Sequence, residues 1–277
     1  RPRPDPGDPE ATADVQPLMD KTIYVLFDRS RERLIREGRA GFAGAWRSGS
    51  LIDDALIVVW EGVDSSGKTS LKNKAGEILS KKGFEVGHYK TPSDTFSGSL
   101  AKTYGNTANV DALTRMLLFL ANTTDDSKIM KRQIAEKNLD FFFIDRYYLC
   151  SLVYGLALIR RTRPGLAEHE DLEILIETVE RLGQDVVVRP DRYVIVDVDE
   201  ATRSRWVERK LEKQRMADLA YESDPRLQDE IRDLYRFFRE KHGEEVVWVT
   251  NREGMLDPIS RGLAEQLLDV RKSAVYG

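Results

Sequence analysis

Short apolar runs alternate along most of the chain with longer segments in which apolar residues recur every three or four positions. Five runs have the length and the β-branched or aromatic content of strands, and they lie at 56–60, 85–89, 141–144, 192–196 and 245–249. Helices are predicted between and after these runs, at 69–82, 111–137, 151–160, 171–182, 200–219, 224–241 and 256–270. The pattern indicates an α/β fold in which helices cover both faces of a five-stranded parallel sheet.

The predicted helices differ in polarity. The segment 111–137 carries several apolar residues on one face, which predicts a helix packed on the core. The segments 200–219 and 224–241 are rich in charge and predict helices that face solvent. Ligands of such sheets bind at the carboxyl ends of the strands, so we expect the functional residues there.

The first 50 residues follow a different pattern. Residues 1–14 are rich in Pro, Asp and Gly, which predicts disorder. The run 22–26 predicts either a short strand or the start of an amphipathic helix, and 38–50 has the Gly and Ser content of a linker. We therefore expect a partly disordered N-terminal extension over 1–50 and one main domain over 51–277. The extension could pack on this domain, mediate assembly or end an upstream domain.

Composition narrows the class of protein. A net charge of −4 argues against a surface that binds nucleic acid. The single cysteine, Cys150, cannot form an internal disulfide and suits a reducing compartment, so we expect a cytoplasmic protein. We expect no membrane segment, because no apolar run approaches the roughly 20 residues that a spanning helix needs. The three histidines are scattered, so no His/Cys metal cluster is expected.

The segment that directly follows the first predicted strand fits G-x-x-x-x-G-K-[ST], a phosphate-binding loop. A predicted helix follows it, so loop amides and the helix N-terminus can surround a polyphosphate. Lys68 would reach the β- and γ-phosphates of ATP, and Thr69 would hold Mg²⁺. The predicted ATP-binding residues of this segment are Gly62, Val63, Asp64, Ser65, Ser66, Gly67, Lys68, Thr69 and Ser70.

Four segments resemble a known family. Residues 61–69 match its E-G-x-D-x-x-G-K-T, and 117–122 match its L-L-F-x-A-N. Residues 145–147 match its D-R-Y, and Arg205 with Arg209 matches its R-x-x-x-R lid. Over about 56–270 the chain resembles the thymidylate kinases and their relatives among nucleoside monophosphate kinases. The resemblance implies a three-layer P-loop kinase fold, a mobile helical lid at about 203–222, and ATP- and Mg²⁺-dependent phosphorylation of a nucleoside monophosphate.

The resemblance also implies roles for individual residues. Asp64 would contact the 3′-hydroxyl of the acceptor, and Arg146 would hold its phosphate, since a guanidinium binds phosphate oxygens bidentately. Asp145 would contribute to the acceptor and metal sites, and Lys90 would add a second phosphate-binding cation. The aromatic rings of the base site and the asparagine beside it would be Phe119, Tyr154 and Asn122.

One position of the phosphate loop differs from the family pattern, and this difference implies that the lid supplies a catalytic cation. Some members carry an arginine just after the loop aspartate, and here that position is Ser65. The charge would then come from the basic stretch of the lid, with Arg209 or Arg215 contacting the transferring phosphoryl group. Arg205 would anchor the lid to the donor nucleotide.

The positions that contact the base in the family also differ in this sequence. Thr123, Cys150 and Gly155 stand where the family usually has Arg, Ser and Gln. The aromatic residues still favour a pyrimidine acceptor, with dTMP as the first choice. A UMP, CMP or dUMP kinase of the thymidylate-kinase-like branch is an alternative, and a catalytically decayed nucleotide-binding module is another. The family also suggests a homodimer, through the helical segment at 152–159.

Overall fold

The computed structural model describes residues 55–107, 109–213 and 224–276. A parallel sheet with the strand order β2-β3-β1-β4-β5 forms its centre. The strands are β1 Leu56–Gly62, β2 Val86–Lys90, β3 Phe141–Asp145, β4 Arg192–Val198 and β5 Val246–Asn251. Each of the five predicted strands is present, and each begins and ends within two residues of its predicted bounds. The predicted α/β fold is therefore confirmed.

Helices lie on both faces of this sheet. In the described part of the chain they are α1 Lys68–Lys81, α2 Phe96–Thr103, α3 Ala112–Lys137, α4 Tyr148–Thr162, α5 Glu170–Leu182, α6 Glu200–Lys213, α7 Pro225–Lys241 and α8 Leu256–Tyr276. None of them combines the length with the apolar character that crossing a bilayer requires.

The sheet separates two apolar cores because alternate residues of a strand point to opposite faces. Ile57 and Val59 of β1 face the core that α3, α4, α5 and α7 cover. Leu56, Val58 and Trp60 face the second core, against α1 and α8. The strands β1 and β3 are buried along their whole length, which explains why their sequences are nearly continuous apolar runs.

The order of the strands determines where a ligand can bind. β1 pairs with β3 on one side and with β4 on the other, so the connections diverge to opposite sides of β1. This divergence opens a crevice at the carboxyl ends of the strands. The register places Trp60 of β1 beside Asp145 of β3, and the loop after β1 therefore starts next to the segment after β3.

Two features of the helices differ from the sequence prediction. α7 is not a solvent-facing helix, because it buries Leu227, Ile231, Leu234 and Phe238 along one face. Its many charged residues hid this i, i+4, i+7 spacing. The short helix α2 was not predicted, since Gly and Ser interrupt its sequence; Thr95 caps it by accepting a hydrogen bond from Gly98 N at 3.2 Å.

Several predictions concern residues outside the described ranges. These are the extension over 1–50, including the strand or helix at 22–26, and the part of the lid from 214 to 222. The division of the chain at residue 50 stays a prediction.

Candidate active site

The loop from Gly62 to Gly67 joins β1 to α1 and lies against two other strands. Gly62 has φ 133°, and a Cβ on it would lie 2.1 Å from Val196 O of β4. Gly67 has φ 80°, and a Cβ there would lie 2.4 Å from Asn251 Nδ2 at the end of β5. Only glycine suits both positions, since they combine a left-handed backbone with close neighbours. Asn251 Nδ2 also donates to Ser66 O at 2.8 Å and so fixes the middle of the loop.

The N-terminus of α1 faces this loop with its backbone amides available. Gly67 precedes the helix, and among the described residues no side chain caps it. The first-turn amides and the positive end of the helix dipole therefore suit a phosphate group.

Lys68 is the first residue of α1, and its side chain is enclosed. Only 5% of its surface is exposed, so Lys68 does not lie in a solvent-accessible loop. Burial and the Arg146 guanidinium lower the pKa of Lys68, while the carboxylates of Asp145 and Asp64 oppose this shift. Lys68 is thus close enough to both carboxylates to interact with them electrostatically.

Asp64 and Arg146 form a salt bridge between the phosphate loop and the segment after β3. Arg146 Nη2 donates to Asp64 Oδ1, and Arg146 Nη1 donates to Cys150 Sγ at 3.0 Å. The same guanidinium lies 5.3 Å from the centre of the Tyr154 ring. Burial alone would raise the pKa of Asp64, but Arg146 and Lys68 hold it below its usual value. The structure therefore brings together three predicted site residues, Asp64, Arg146 and Tyr154.

The backbone of Arg146 is in the left-handed region, with φ 66°. For a residue with a side chain this conformation costs on the order of 1 kcal/mol, so surrounding contacts must hold it. Arg146 N donates to Trp60 O at 3.0 Å, and Thr91 Oγ1 donates to Arg146 O at 2.9 Å. The sharp turn at the end of β3 is therefore tied to β1 and to the segment after β2.

Asp145 ends β3 beside the start of α1. Its Oδ2 accepts a hydrogen bond from Thr69 Oγ1 at 2.9 Å, and Lys72 Nζ lies 3.4 Å from the same oxygen. Burial raises the pKa of Asp145, but Lys68 and Lys72 outweigh it and keep that pKa below its usual value. The carboxylate is therefore ionised at neutral pH.

The Thr69 and Asp145 oxygens fit a Mg²⁺ ion that is brought by a nucleotide. Among the described residues no group of three or more His, Cys, Asp or Glu side chains could hold a metal by itself. Mg²⁺ in nucleotide sites typically takes one or two protein oxygens and fills its octahedral shell with phosphate oxygens and water. The donor set is thus suited to a metal–nucleotide complex rather than to a resident ion.

Two further lysines surround the carboxyl end of β3. Lys90 ends β2 next to Asp145 in the sheet register and is exposed, as a phosphate-binding residue could be. Lys72 was missed in the sequence, where it resembles any surface lysine of a charged helix. Its position four residues after Lys68 places both ammonium groups on one face of α1, and this spacing could have revealed it.

Gln228 of α7 forms hydrogen bonds with the phosphate loop, and this contact was also not predicted from the sequence. Its Oε1 accepts a hydrogen bond from Asp64 N at 3.0 Å, and its Nε2 donates to Asp64 Oδ2 at 3.4 Å. The side chain is completely buried. Nothing in the local sequence connects a glutamine of α7 with a loop 164 residues earlier.

Glu61 is a buried residue near the end of β1, and its side chain caps α4. Its Oε1 accepts hydrogen bonds from Tyr147 N at 2.9 Å and Cys150 N at 3.2 Å, and Tyr235 OH donates to its Oε2 at 3.1 Å. This cap explains why α4 begins three residues before its predicted start. Burial raises the pKa of Glu61 to about 7.

Glu61→Gln should make stability less dependent on pH. Because the pKa of Glu61 is about 7 in the folded protein and 4.5 as its ordinary value, the folded state favours the protonated form. That preference stabilises fully below pH 4.5 and is lost as pH rises through about 7, a loss of about 3 kcal/mol. Urea unfolding from pH 4.5 to 8 should show this decline in the wild type and not in the variant. Glu77→Gln, at an exposed site on α1, serves as the control; parallel curves for wild type and Glu61→Gln would contradict the assignment.

The predicted base-site residues lie on α3 and α4. Phe119 is half-buried, with the Arg115 guanidinium 4.8 Å from its ring centre. Asn122 is buried, and its Nδ2 donates to Thr95 Oγ1 at 3.0 Å and to Ser97 Oγ at 3.3 Å. Asn122 therefore anchors the start of α2, and its role toward a base stays a prediction.

The three positions that depart from the expected pattern are enclosed. A Cβ on Gly155 would lie 2.5 Å from Met116 Sδ, so the methionine fills the space beside it. Thr123 Oγ1 donates to Phe119 O at 3.3 Å, and Cys150 accepts from Arg146. Burial raises the pKa of the Cys150 thiol to about 11, so it stays protonated at neutral pH.

The helix α6, which contains the first part of the predicted lid, lies beside the phosphate loop. The Trp206 ring reaches to 3.5 Å from the place where a Cβ of Gly67 would be. Arg209 Nη1 donates to Glu253 Oε1 at 2.9 Å, and Arg205 lies 3.6 Å from Glu253 Oε2. Both arginines are exposed and contact the segment after β5, while Arg215 lies outside the described residues. The contact of Arg209 or Arg215 with the transferring group stays a prediction, as does the role of Arg205 toward the donor nucleotide.

Comparison with known proteins identifies the family. A family model described as thymidylate kinase matches residues 60–253, which is more than half of the 277-residue chain. The chain belongs to the thymidylate kinase family. The match runs from β1 to the segment after β5 and therefore includes every element that contributes to the site.

Two relatives of this thymidylate kinase family member match it over most of their own length. A probable thymidylate kinase of Thermoplasma acidophilum is 26% identical over 185 residues, covering 66% of this chain and 84% of the relative. One from Thermococcus gammatolerans is 27% identical over 224 residues, covering 76% and 96%. The chain is therefore a nucleoside monophosphate kinase, and the reaction of its family is the phosphorylation of dTMP to dTDP with ATP as donor.

Solved thymidylate kinases share the fold. The structure from Ehrlichia chaffeensis has a TM-score of 0.52 and 17% identity, covering 77% of this chain and 98% of its own. That from Candida albicans has a TM-score of 0.53 and 19% identity, covering 80% and 94%. The predicted three-layer kinase fold is thereby confirmed.

Proposed function

We propose that this protein transfers the γ-phosphoryl group of ATP to dTMP, and that it does so at the carboxyl ends of β1 and β3. The observation that supports this location is the convergence of two segments that are distant in sequence. Lys68 and Asp64 of the phosphate loop meet Asp145 and Arg146 of the D-R-Y segment, so cations and carboxylates for two phosphorylated reactants lie side by side.

The donor phosphates are proposed to lie on the phosphate loop. The first-turn amides of α1 would bind the β-phosphate, and Lys68 would neutralise the charge shared by the β- and γ-phosphates. Thr69 and Asp145 would hold Mg²⁺, which supplies further positive charge to the phosphates when bound. Because Lys68 is enclosed before a ligand arrives, little reorganisation is needed during the reaction.

The acceptor is proposed to lie against Arg146. Its guanidinium can bind two phosphate oxygens at once, while Asp64 keeps it oriented through the salt bridge. The 3′-hydroxyl of the sugar would contact Asp64, and Tyr154 would pack against the nucleoside beside Arg146. Lys90 would approach the acceptor phosphate from β2.

The lid is proposed to deliver a cation when it closes. In the arrangement described above, Arg205 and Arg209 are attached to Glu253, so closure requires at least one of them to exchange this partner for a phosphate. Exposed pairs of this kind are weak, typically about 0.2–1 kcal/mol, and the exchange is therefore inexpensive. Arg215 is the second candidate for the catalytic cation.

The identity of the base can be tested directly. ADP release in a coupled assay should be measured with dTMP, dUMP, UMP, CMP and, as a purine control, GMP. We expect dTMP to give the highest kcat/KM. A preference for UMP, CMP or dUMP would instead support the alternative suggested by Thr123, Cys150 and Gly155. No turnover with any monophosphate, together with retained ATP binding, would indicate a decayed nucleotide-binding module.

We also propose that the enzyme acts in the cytoplasm, where ATP is available and a free thiol such as Cys150 stays reduced. A homodimer is a further proposal, but its surface cannot be the predicted apolar face of α4, because Leu152, Val153 and Leu156 are buried in the core of the single chain. Light scattering of the purified chain would show whether it is a dimer.

A further inference from the structure

Lys72 is a buried lysine beside the proposed metal site. It lies one turn after Lys68 on α1 and is only 5% exposed. Its Nζ is 3.4 Å from Asp145 Oδ2, the same oxygen that accepts the hydrogen bond of Thr69. The Lys72 ammonium therefore contacts the same carboxylate oxygen that a metal held by Thr69 and Asp145 would use.

Packing does not explain a lysine at this position. α1 already buries Leu71, Ala75 and Leu79 against the second core. A buried salt bridge is also a weak source of stability, since desolvation of both charges offsets their attraction. By contrast, Lys74 on the same helix is partly exposed and pairs with Asp257 at 3.3 Å, as an ordinary surface lysine does.

We propose that Lys72 is a positioning residue that keeps the Asp145 carboxylate from binding a free divalent ion. The inference rests on the proposed function in one respect, namely that Thr69 and Asp145 form the metal site. In the nucleotide-free enzyme Lys72 holds the carboxylate in place and repels an approaching cation. The negative charge of a bound nucleoside di- or triphosphate offsets the charges of Lys72 and of the metal ion, so the metal enters as a complex with the nucleotide.

This arrangement couples two binding events. If Lys72 weakens the binding of metal alone more than the binding of metal with nucleotide, then metal and nucleotide favour each other's binding. An enzyme with this coupling does not bind a free metal ion, without nucleotide, at Thr69 and Asp145. Lys68 cannot provide the same effect by itself, because it is expected to contact the phosphates that accompany the metal.

Binding of Mn²⁺, used as a spectroscopic probe for Mg²⁺, tests the proposal without catalysis. Electron paramagnetic resonance titrations would compare the full chain with Lys72→Met, with and without ADP. Without nucleotide, Lys72→Met should bind Mn²⁺ at least about tenfold more tightly, within the usual range of coupling between two sites. With ADP the two proteins should differ by less than about threefold. Lys74→Met should behave as the wild type, and Lys72→Arg should keep the weak binding of the wild type.

Three outcomes would overturn the proposal. Equal Mn²⁺ affinities of Lys72→Met and wild type without nucleotide would show that Lys72 does not guard the carboxylate. A variant with unchanged Mn²⁺ binding but a much lower kcat would show that Lys72 acts on the transferring group instead. Tight Mn²⁺ binding by Lys72→Arg would show that charge is not the cause.

Thermal unfolding identifies a misfolded variant, in which case Lys72→Gln replaces Lys72→Met. Absence of kinase activity in the ADP-release assay would refute the proposed function and leave the Mn²⁺ comparison intact.

Discussion

Lys68→Met is expected to lower kcat at least about a hundredfold, a loss of roughly 2.7 kcal/mol of transition-state stabilisation. Phosphoryl transfer spreads negative charge over the oxygens of the transferring group, and Lys68 lies at the start of the helix that faces them. Methionine has a similar length but no charge, so the variant removes the electrostatic contribution without creating a large cavity. Steady-state turnover with dTMP and ATP measures the effect.

The burial of Lys68 requires a control for stability. Its removal leaves Arg146 as the salt-bridge partner of Asp64 and Lys72 as the salt-bridge partner of Asp145. We therefore expect a moderate decrease in the midpoint of thermal unfolding but a folded protein. Lys74→Met, on the exposed side of the same helix, should retain both turnover and stability. A folded Lys68→Met with near-normal kcat would remove the kinase assignment of this site.

Much of the fold was predictable because its signals are local. A continuous apolar run such as 141–144 has few alternatives to a strand buried on both faces. A loop of the G-x-x-x-x-G-K-[ST] type between a strand and a helix constrains the backbone through two glycines. The helix α2 lacked such signals, since its stability comes from the Thr95 cap and from Asn122 of α3.

The parts of the site that could not be predicted depend on contacts between distant segments. Gln228 reaches Asp64 only because α7 packs across the core, and the charged sequence of α7 hides its apolar face. Glu61 belongs to the phosphate-loop motif, but its hydrogen bonds go to α4 and α7 rather than to the loop. Lys72 illustrates a third case, in which the residue type is ordinary and only its burial beside Asp145 is informative.

Arg146→Met is expected to lower kcat/KM for the monophosphate about a hundred- to a thousandfold, because the variant loses a bidentate contact to phosphate. It should also lose stability. Asp64 would be left without its guanidinium, and because this pair is only partly buried the loss should lie below the roughly 3–5 kcal/mol that is typical of a fully buried pair. Activity and stability can therefore change together, and a single variant does not separate them.

The double variant Arg146→Met with Asp64→Asn separates the two effects. Asparagine removes the uncompensated charge and can still contact Gln228, so urea unfolding should recover part of the stability lost by Arg146→Met alone. Activity should not recover, because neither change restores a cation for the acceptor phosphate. Arg163→Met, at an exposed arginine paired with Asp111, should leave both quantities unchanged. If stability and activity recovered together in the double variant, Arg146 would be only a structural partner of Asp64. Another cation of the site would then have to bind the acceptor phosphate, and Lys90 is the first candidate.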